Sequence, residues 1–292
     1  MEIQVQAYGK LNLSLDILQR QPTGYHDMRM VMETVALCDD VHIAISEGDS
    51  VQLSTNLHYL PVDDSNIAAE AAEVFFQELD LPRRQVTIHI HKRLPVSAGV
   101  AGGSANAAAV LRGLNHLLGT GLRTEELRHL GLMLGSDVPY CIGGGTALAE
   151  GRGEILTPLP SLPSCHIVIC KPKFSISTPS LFGKIDCAKI RHRPDTSGMI
   201  KALEDGCLGQ VAVRLYNVFE DVLTGKQRDV LVIKNALFDT GALGAAMTGT
   251  GPSVFGLFED EQVARAAYEQ LKQTYPETFL TKNRSELLTM GK

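Results

Sequence analysis

The chain contains no tryptophan, and aromatic residues make up 5% of its 292 positions. Nucleic acid is therefore not an expected partner, because single strands are held on repeated aromatic platforms. A basic excess is missing too: 27 Lys and Arg stand against 33 Asp and Glu, for a net charge of −6. That excludes a general polyanion binder and leaves room only for a small basic pocket. No apolar run approaches the roughly 18 residues that cross a bilayer, so no membrane partner is expected. The cysteines Cys38, Cys141, Cys165, Cys170, Cys187 and Cys207 show neither CxxC spacing nor the density of a secreted scaffold. The start, Met1-Glu2-Ile3-Gln4-Val5, alternates like a strand and has no basic or apolar region of a signal peptide. Reduced thiols in a cytoplasmic protein are the expectation.

Glycine is what the chain has in quantity, 27 against 13 prolines, which points to backbone-lined loops and tight turns. The length allows two domains or one two-lobed body. Alternation of Leu11, Leu13, Leu15 and Ile17 with Asn12, Ser14 and Asp16 predicts a half-buried strand with Lys10 and Asn12 on its polar face. Pro22-Thr23-Gly24 predicts a turn. Strands are expected over Val31 to Leu37 and Val41 to Ile45, with Asp39-Asp40 marking the bend between them. Asp64-Ser65 should cap a helix from Ile67 to Leu79 that Pro82 stops. The next strand carries Val86, Ile88 and Ile90 on one face and His89 and His91 on the other; the two imidazoles read as a solvated or hydrogen-bonded pair or, with a third ligand, as a metal site.

The segment from Pro95 to Asn106 is a small-residue loop feeding a helix that starts at about Ser104 and runs to Leu118. A helix from Glu125 to Leu134 ends at Gly135, which leaves Ser136-Asp137-Val138-Pro139 in or beside a turn. Gly143-Gly144-Gly145 and Gly151-Arg152-Gly153 bracket a short strand suggestive of a hairpin. Prolines and serines thicken over Pro158 to Ser164, the expected boundary between lobes. Beyond it come a strand at His166 to Cys170, helices near Ser197 to Glu204 and Gln227 to Phe238, a hairpin around Gly249-Thr250-Gly251-Pro252, and a last helix at Glu261 to Thr274. Irregular interleaving of strands and helices predicts an α+β fold rather than a doubly wound parallel sheet. The basic clusters Arg83-Arg84 and Arg191-His192-Arg193 read as solvated surface.

Three features can carry chemistry. Backbone amides in the glycine loop, with the positive end of the following helix dipole, form a cradle for phosphate. The loop lacks both GK[ST] and GxGxxG patterns, and by composition it serves equally well to let a helix pack closely on a sheet. Asp137 stands in a constrained turn, where a carboxylate is either a local cap or, beside a cation, a proton acceptor. Lys10 is either an exposed strand residue or that cation, which can also meet a transferring phosphoryl group. Tyr25, His26 and Phe182 fall on expected loops, and two aromatics with a histidine suffice to hold and read one base.

Together, Lys10-Leu11-Asn12-Leu13, the loop from Pro95 to Ala108, and Met247-Thr248-Gly249-Thr250-Gly251-Pro252-Ser253 resemble the three ordered motifs of the GHMP small-molecule kinase superfamily. Gly24-Tyr25-His26, Gly135-Ser136-Asp137-Val138-Pro139-Tyr140, Gly151-Arg152-Gly153-Glu154 and Ser177-Thr178-Pro179 resemble the branch whose alcohol substrate carries a cytidine diphosphate. The resemblance implies a two-lobed GHMP fold, an N-terminal lobe at 1–160 with the glycine-rich ATP loop and a C-terminal lobe at 161–292. It further implies Asp137 as the catalytic base with Lys10 beside it, and ATP held by Pro95, Gly99, Ala101, Gly102, Gly103 and Ser104, with Asn66 near the adenine. Mg²⁺ would touch Ser104. Asn12, Tyr25, His26, Asn106, Thr178 and Phe182 would meet the cytidine-bearing substrate. A homodimer stays open, as do a sister GHMP kinase for another alcohol and a ligand-binding homologue with weak catalysis. Three positions depart from the usual family loop: Val100 and Ala101 before Gly102-Gly103, alanine being a residue type that resists φ > 0, and Ala105, where a second serine is usual.

Overall fold

The computed structural model of the chain describes residues 1–190 and 192–285. Arg191 of the second basic cluster and residues 286–292 of the expected second lobe lie outside the described residues. Strands β1 (Glu2–Arg20) and β2 (His26–Ser46) form a long antiparallel pair at the heart of the first sheet. Beside them run β3 (Val51–Thr55), β4 (Gln85–His91), β5 (Thr146–Gly151), β6 (Ile155–Pro158) and the two-residue β8 (Tyr216–Asn217). The main path is β3-β4-β2-β1-β8, with β5 on the first half of β2 and β6 on β5. The second sheet, β11-β7-β10-β9, is antiparallel and is built from β7 (His166–Cys170), β9 (Gly244–Met247), β10 (Val254–Phe258) and β11 (Thr278–Lys282). The arrangement is α+β, as expected.

Helix α1 (Ile67–Glu78) buries Ala68, Ala69, Ala71, Ala72, Phe75 and Phe76, and α2 (Gly102–Leu117) buries every residue from Ala105 to Leu114. Alanines let the two helices approach closely, and Gly113 lets α2 lie on the sheet, since a Cβ there would stand 2.3 Å from Ile43 Cδ1. Then follow α3 (Thr124–Leu134), α4 (Val138–Gly143), α5 (Thr178–Phe182), α6 (Thr196–Glu204), α7 (Leu208–Ala212), α8 (Asp229–Asp239) and α9 (Glu261–Thr274).

Three local expectations are corrected. The strand through Leu11 to Ile17 is buried on both faces: Lys10, Asn12, Ser14 and Asp16 are each 5% exposed or less, because that polar face turns inward. Asp39 and Asp40 mark no bend; they sit inside β2, which absorbs the irregularity as a register shift opposite Tyr8 and Lys10. Asp39 accepts hydrogen bonds from the Arg93 and Leu94 amides at 2.6 and 2.7 Å and pairs with Lys92. A buried acid with that many donors has no need of a turn. Arg193 is not merely solvated either, for its Nη1 donates to Asp16 Oδ1 at 2.7 Å and to the Ile17 carbonyl at 3.0 Å.

Candidate active site

A cleft of about 1240 Å³ opens between the glycine loop, the polar face of β1, the Ser136–Asp137 turn and α5. Its floor is made by the three motifs, which the fold ties together through their backbones. The Lys10 amide donates to the Val100 carbonyl at 3.1 Å, and the Asn12 amide to Thr248 Oγ1 at 3.1 Å. Thr248 Oγ1 in turn donates to the Gly99 carbonyl at 3.2 Å. Gly99 has φ +78, and a Cβ on it would stand 2.1 Å from the Thr248 carbonyl oxygen, so only glycine permits this crossing.

The expected helix start moves from Ser104 to Gly102. Ala101 occupies the N-cap with φ 59 and ψ 33, in the left-handed region, and provides no side-chain cap; the first turn holds no acid. The amides of that turn therefore remain free to serve an anion, with the helix dipole behind them. Lys92, missed in the sequence and paired with Asp39, brings an ammonium to the same helix end: a Cβ on Gly102 would lie 3.3 Å from its Nζ. Lys92 Nζ also donates to Asn106 Oδ1 at 2.8 Å, while Asn106 Nδ2 donates to Asp39 Oδ2 at 2.8 Å. An uncapped helix end, an adjacent ammonium and no first-turn carboxylate fit the polyphosphate of a nucleotide.

Lys10 is 4% exposed. Its Nζ donates to Asn12 Oδ1 at 2.7 Å and stands 3.7 Å from Asp137 Oδ2. Asp137 precedes α4 yet makes no side-chain cap hydrogen bond, so the local-cap reading gives way to a carboxylate aimed into the cleft beside an ammonium. Asn12 is also fixed, Nδ2 donating to Met30 Sδ at 3.3 Å.

At the far end of the cleft the His26 ring packs on Phe182 with centroids 5.0 Å apart, and Phe219 supports Phe182 edge-on at 5.0 Å. Burial, and after it the nearby Arg20 charge, hold the His26 imidazole below its usual range. It is thus neutral at pH 7 and offers one donor and one acceptor. Tyr25 is 53% exposed and lines the same end. Thr178, at the start of α5, shares a 2.9 Å hydrogen bond with Thr250 of the late turn.

Pro95, Gly103 and Ser104 also line the cleft, as do Asn66 and Asn106, but the last two side chains are occupied. Asn66 Oδ1 accepts from the Ala68 amide as the N-cap of α1, in place of the expected Asp64-Ser65, and Nδ2 donates to the Pro61 carbonyl. The Asn106 amide bonds at both ends, its Nδ2 donating to Asp39 and its Oδ1 accepting from Lys92. Asn217 was missed: buried in β8, it donates through Nδ2 to the Met247 and Gly249 carbonyls at 2.7 and 2.8 Å and accepts from the Phe219 amide at 3.0 Å. One asparagine thus pins both the late turn and the aromatic support. His89 and His91 are exposed and lie away from the cleft, His89 bonding Ser54 at 2.9 Å. Among the described residues no group of three or more His, Cys, Asp or Glu could hold a metal.

The family description "GHMP kinases N terminal domain" matches residues 66–145, and "GHMP kinases C terminal" matches 199–277. The chain belongs to the GHMP kinases. Within them it belongs to the 4-diphosphocytidyl-2-C-methyl-D-erythritol kinase family: the kinase of that name from Alkaliphilus oremlandii is 43% identical over 280 residues, 96% of either chain. A crystal structure of 4-(cytidine 5'-diphospho)-2C-methyl-D-erythritol kinase superposes with TM-score 0.82 at 26% identity, covering 96% of this chain and 99% of the other. The fold alone is shared with the mevalonate kinase of L. major, at TM-score 0.78 and 17% identity over 98% of this chain and 97% of that one.

Proposed function

We propose that the protein transfers the γ-phosphoryl group of ATP to the 2-hydroxyl of 4-diphosphocytidyl-2-C-methyl-D-erythritol, a step of non-mevalonate isoprenoid precursor biosynthesis. The observation that carries this reading is the Lys10–Asp137 pair at 3.7 Å, set between a phosphate cradle and an aromatic recess in one cleft. Phosphoryl transfer requires positioning, charge neutralisation and a proton acceptor, with little covalent chemistry from the protein. Asp137 takes the proton of the hydroxyl. Lys10, held by Asn12, neutralises charge that gathers between the reacting oxygens. The α2 amides, Lys92 and the glycine loop hold the triphosphate, and Ser104 would offer its hydroxyl to a Mg²⁺ ion, which would neutralise charge on the phosphates. Tyr25, Phe182 and neutral His26 hold and read the cytosine, and Thr178 adds a polar contact. The cytidine diphosphate is remote from the reacting hydroxyl, so its binding energy serves to align the acceptor.

No described helix is long and apolar enough to cross a membrane, and all six cysteines are free, which supports a reducing cytoplasm.

ADP release measured with the cytidine diphosphate substrate, homoserine and mevalonate side by side tests the assignment. Turnover is expected with the first alone. No turnover with it at high enzyme concentration overturns the reading, and a preference for either other alcohol makes the protein a sister kinase. Asp137→Asn is expected to lower kcat by about 10²–10⁴-fold with little change in KM. Phe182→Ala should raise KM for the cytidine substrate by about tenfold, the scale of one lost base stack; an unchanged KM removes Phe182 from the base site.

A further inference from the structure

The Gly151-Arg152-Gly153-Glu154 motif has no part in the chemistry just described, yet the fold brings it to the nucleobase end of the cleft. It forms the turn between β5 and β6. Gly151 and Gly153 have φ +69 and +114; a Cβ on the first would stand 2.9 Å from Glu154 Oε1, and one on the second 3.3 Å from Met30 Cε. Glu154 Oε2 accepts from the Arg152 amide at 2.7 Å. The turn is built to present the single long side chain between its glycines.

That side chain ends over Tyr25, with the guanidinium carbon 4.0 Å from the ring centroid. The acids nearest in sequence are engaged elsewhere: Glu150 accepts from Arg29 Nε at 3.0 Å, and Glu154 serves the turn. No described acid lies within ion-pair distance of Arg152. Arg152 Nε is enclosed without a hydrogen-bond partner. The ring is therefore its principal contact. Tyr25 itself needs a support. The turn pins its backbone, the Gln21 amide donating to its carbonyl at 2.7 Å, but the side chain is 53% exposed and would otherwise rotate freely.

We propose that Arg152 is a positioning residue which backs one face of the Tyr25 ring, holding the other face ready to stack on a planar base. The inference rests on the reading of a cytidine-bearing substrate.

The test is a double-mutant cycle of Arg152→Ala and Tyr25→Ala, read by calorimetric binding of CDP and by steady-state kinetics, with melting temperature as the folding control. Arg152→Ala is expected to weaken CDP binding and raise KM for the cytidine substrate about three- to tenfold, the range of a cation–π contact, with KM for ATP unmoved. In the Tyr25→Ala background the same change should have no further effect. Arg152→Lys, which keeps charge but loses the planar stack, should recover affinity only in part. Effects that multiply in the double variant would overturn the proposal and make Arg152 an independent contact, for instance with the diphosphate. Unchanged CDP affinity in Arg152→Ala would overturn it outright. Absence of CDP binding by the unaltered protein would instead remove the cytidine reading, and this inference with it.

Discussion

At the scale of single residues, Ala101 bears a conformation that glycine adopts without penalty. Its φ of 59 brings Cβ against the backbone at a cost of about 1–2 kcal/mol, partly offset because alanine loses less freedom on folding than glycine. Ala101→Gly is expected to stabilise the protein by about 0.5–1 kcal/mol, a rise in Tm of about 1–3 °C. A calorimetric scan showing a lower Tm would mean that the methyl's packing outweighs the strain. Lys92 and Asp39 show the complementary case, a charge pair whose partners are some fifty positions apart and which no local pattern announces. Removal of either member would leave the other buried and unpaired.

Among the elements, the smallest has a large consequence. Strand β8 is only Tyr216–Asn217, paired in parallel with β1 at Ser14 and Leu15, yet its asparagine bonds two carbonyls of the Met247–Gly249 segment and the amide under Phe219. Asn217→Ala would strand all three groups in a dry site and should cost about 2–4 kcal/mol, read as a lower urea midpoint. Asn217→Asp, which sets an acceptor against two carbonyls, should be at least as damaging; wild-type stability in that variant would refute the assigned bonds. Long periodic elements were legible beforehand. Helix α9 coincides with the expected span because its amphipathic spacing repeats over 14 residues; the five-residue β7 was legible for another reason, the unbroken apolar run Ile167-Val168-Ile169-Cys170. Strand β8, α5 and β11 carry too few repeats to stand out, and their existence depends on what they pair with.

For the molecule as a whole, the seam between the sheets carries a buried acid. Glu33 on β2 is fully enclosed; Thr146 Oγ1 donates to its Oε2 at 2.5 Å, and Oε1 has no partner. Around it Val35 bridges to Asn283, and Asn283 accepts from the Cys165 amide at 2.9 Å and donates to the Leu162 carbonyl at 2.8 Å, joining the two sheets. Burial pushes the Glu33 carboxyl up to about 8, against the pull of the Thr146 hydrogen bond. Between pH 5 and 8 the unfolded chain has released this proton and the native state retains it, so stability falls as pH rises, by about 1.4 kcal/mol per unit from this group. Glu33→Gln should abolish that slope and melt at higher temperature than wild type at pH 8. Parallel Tm profiles for the two proteins would show that Glu33 is already ionised in the native state.

By itself, the sequence determined the class of fold, the order of the motifs and the residue types that line the cleft. Glycine spacing, alternation and turn chemistry are local properties, and Lys10, Asp137 and the loop from Pro95 to Ser104 stand within them. Only the tertiary structure decided which of those residues are free to act. It brought Lys10 to 3.7 Å from Asp137 across 127 positions of chain, and it engaged Asn66 and Asn106 in hydrogen bonds that the sequence could not display. It also revealed Lys92, Asn217 and Arg152, whose roles come from groups distant in the chain. A side chain's type is written locally, but its partners are set by burial: once water is excluded, each polar group must find a donor or acceptor wherever the fold places one.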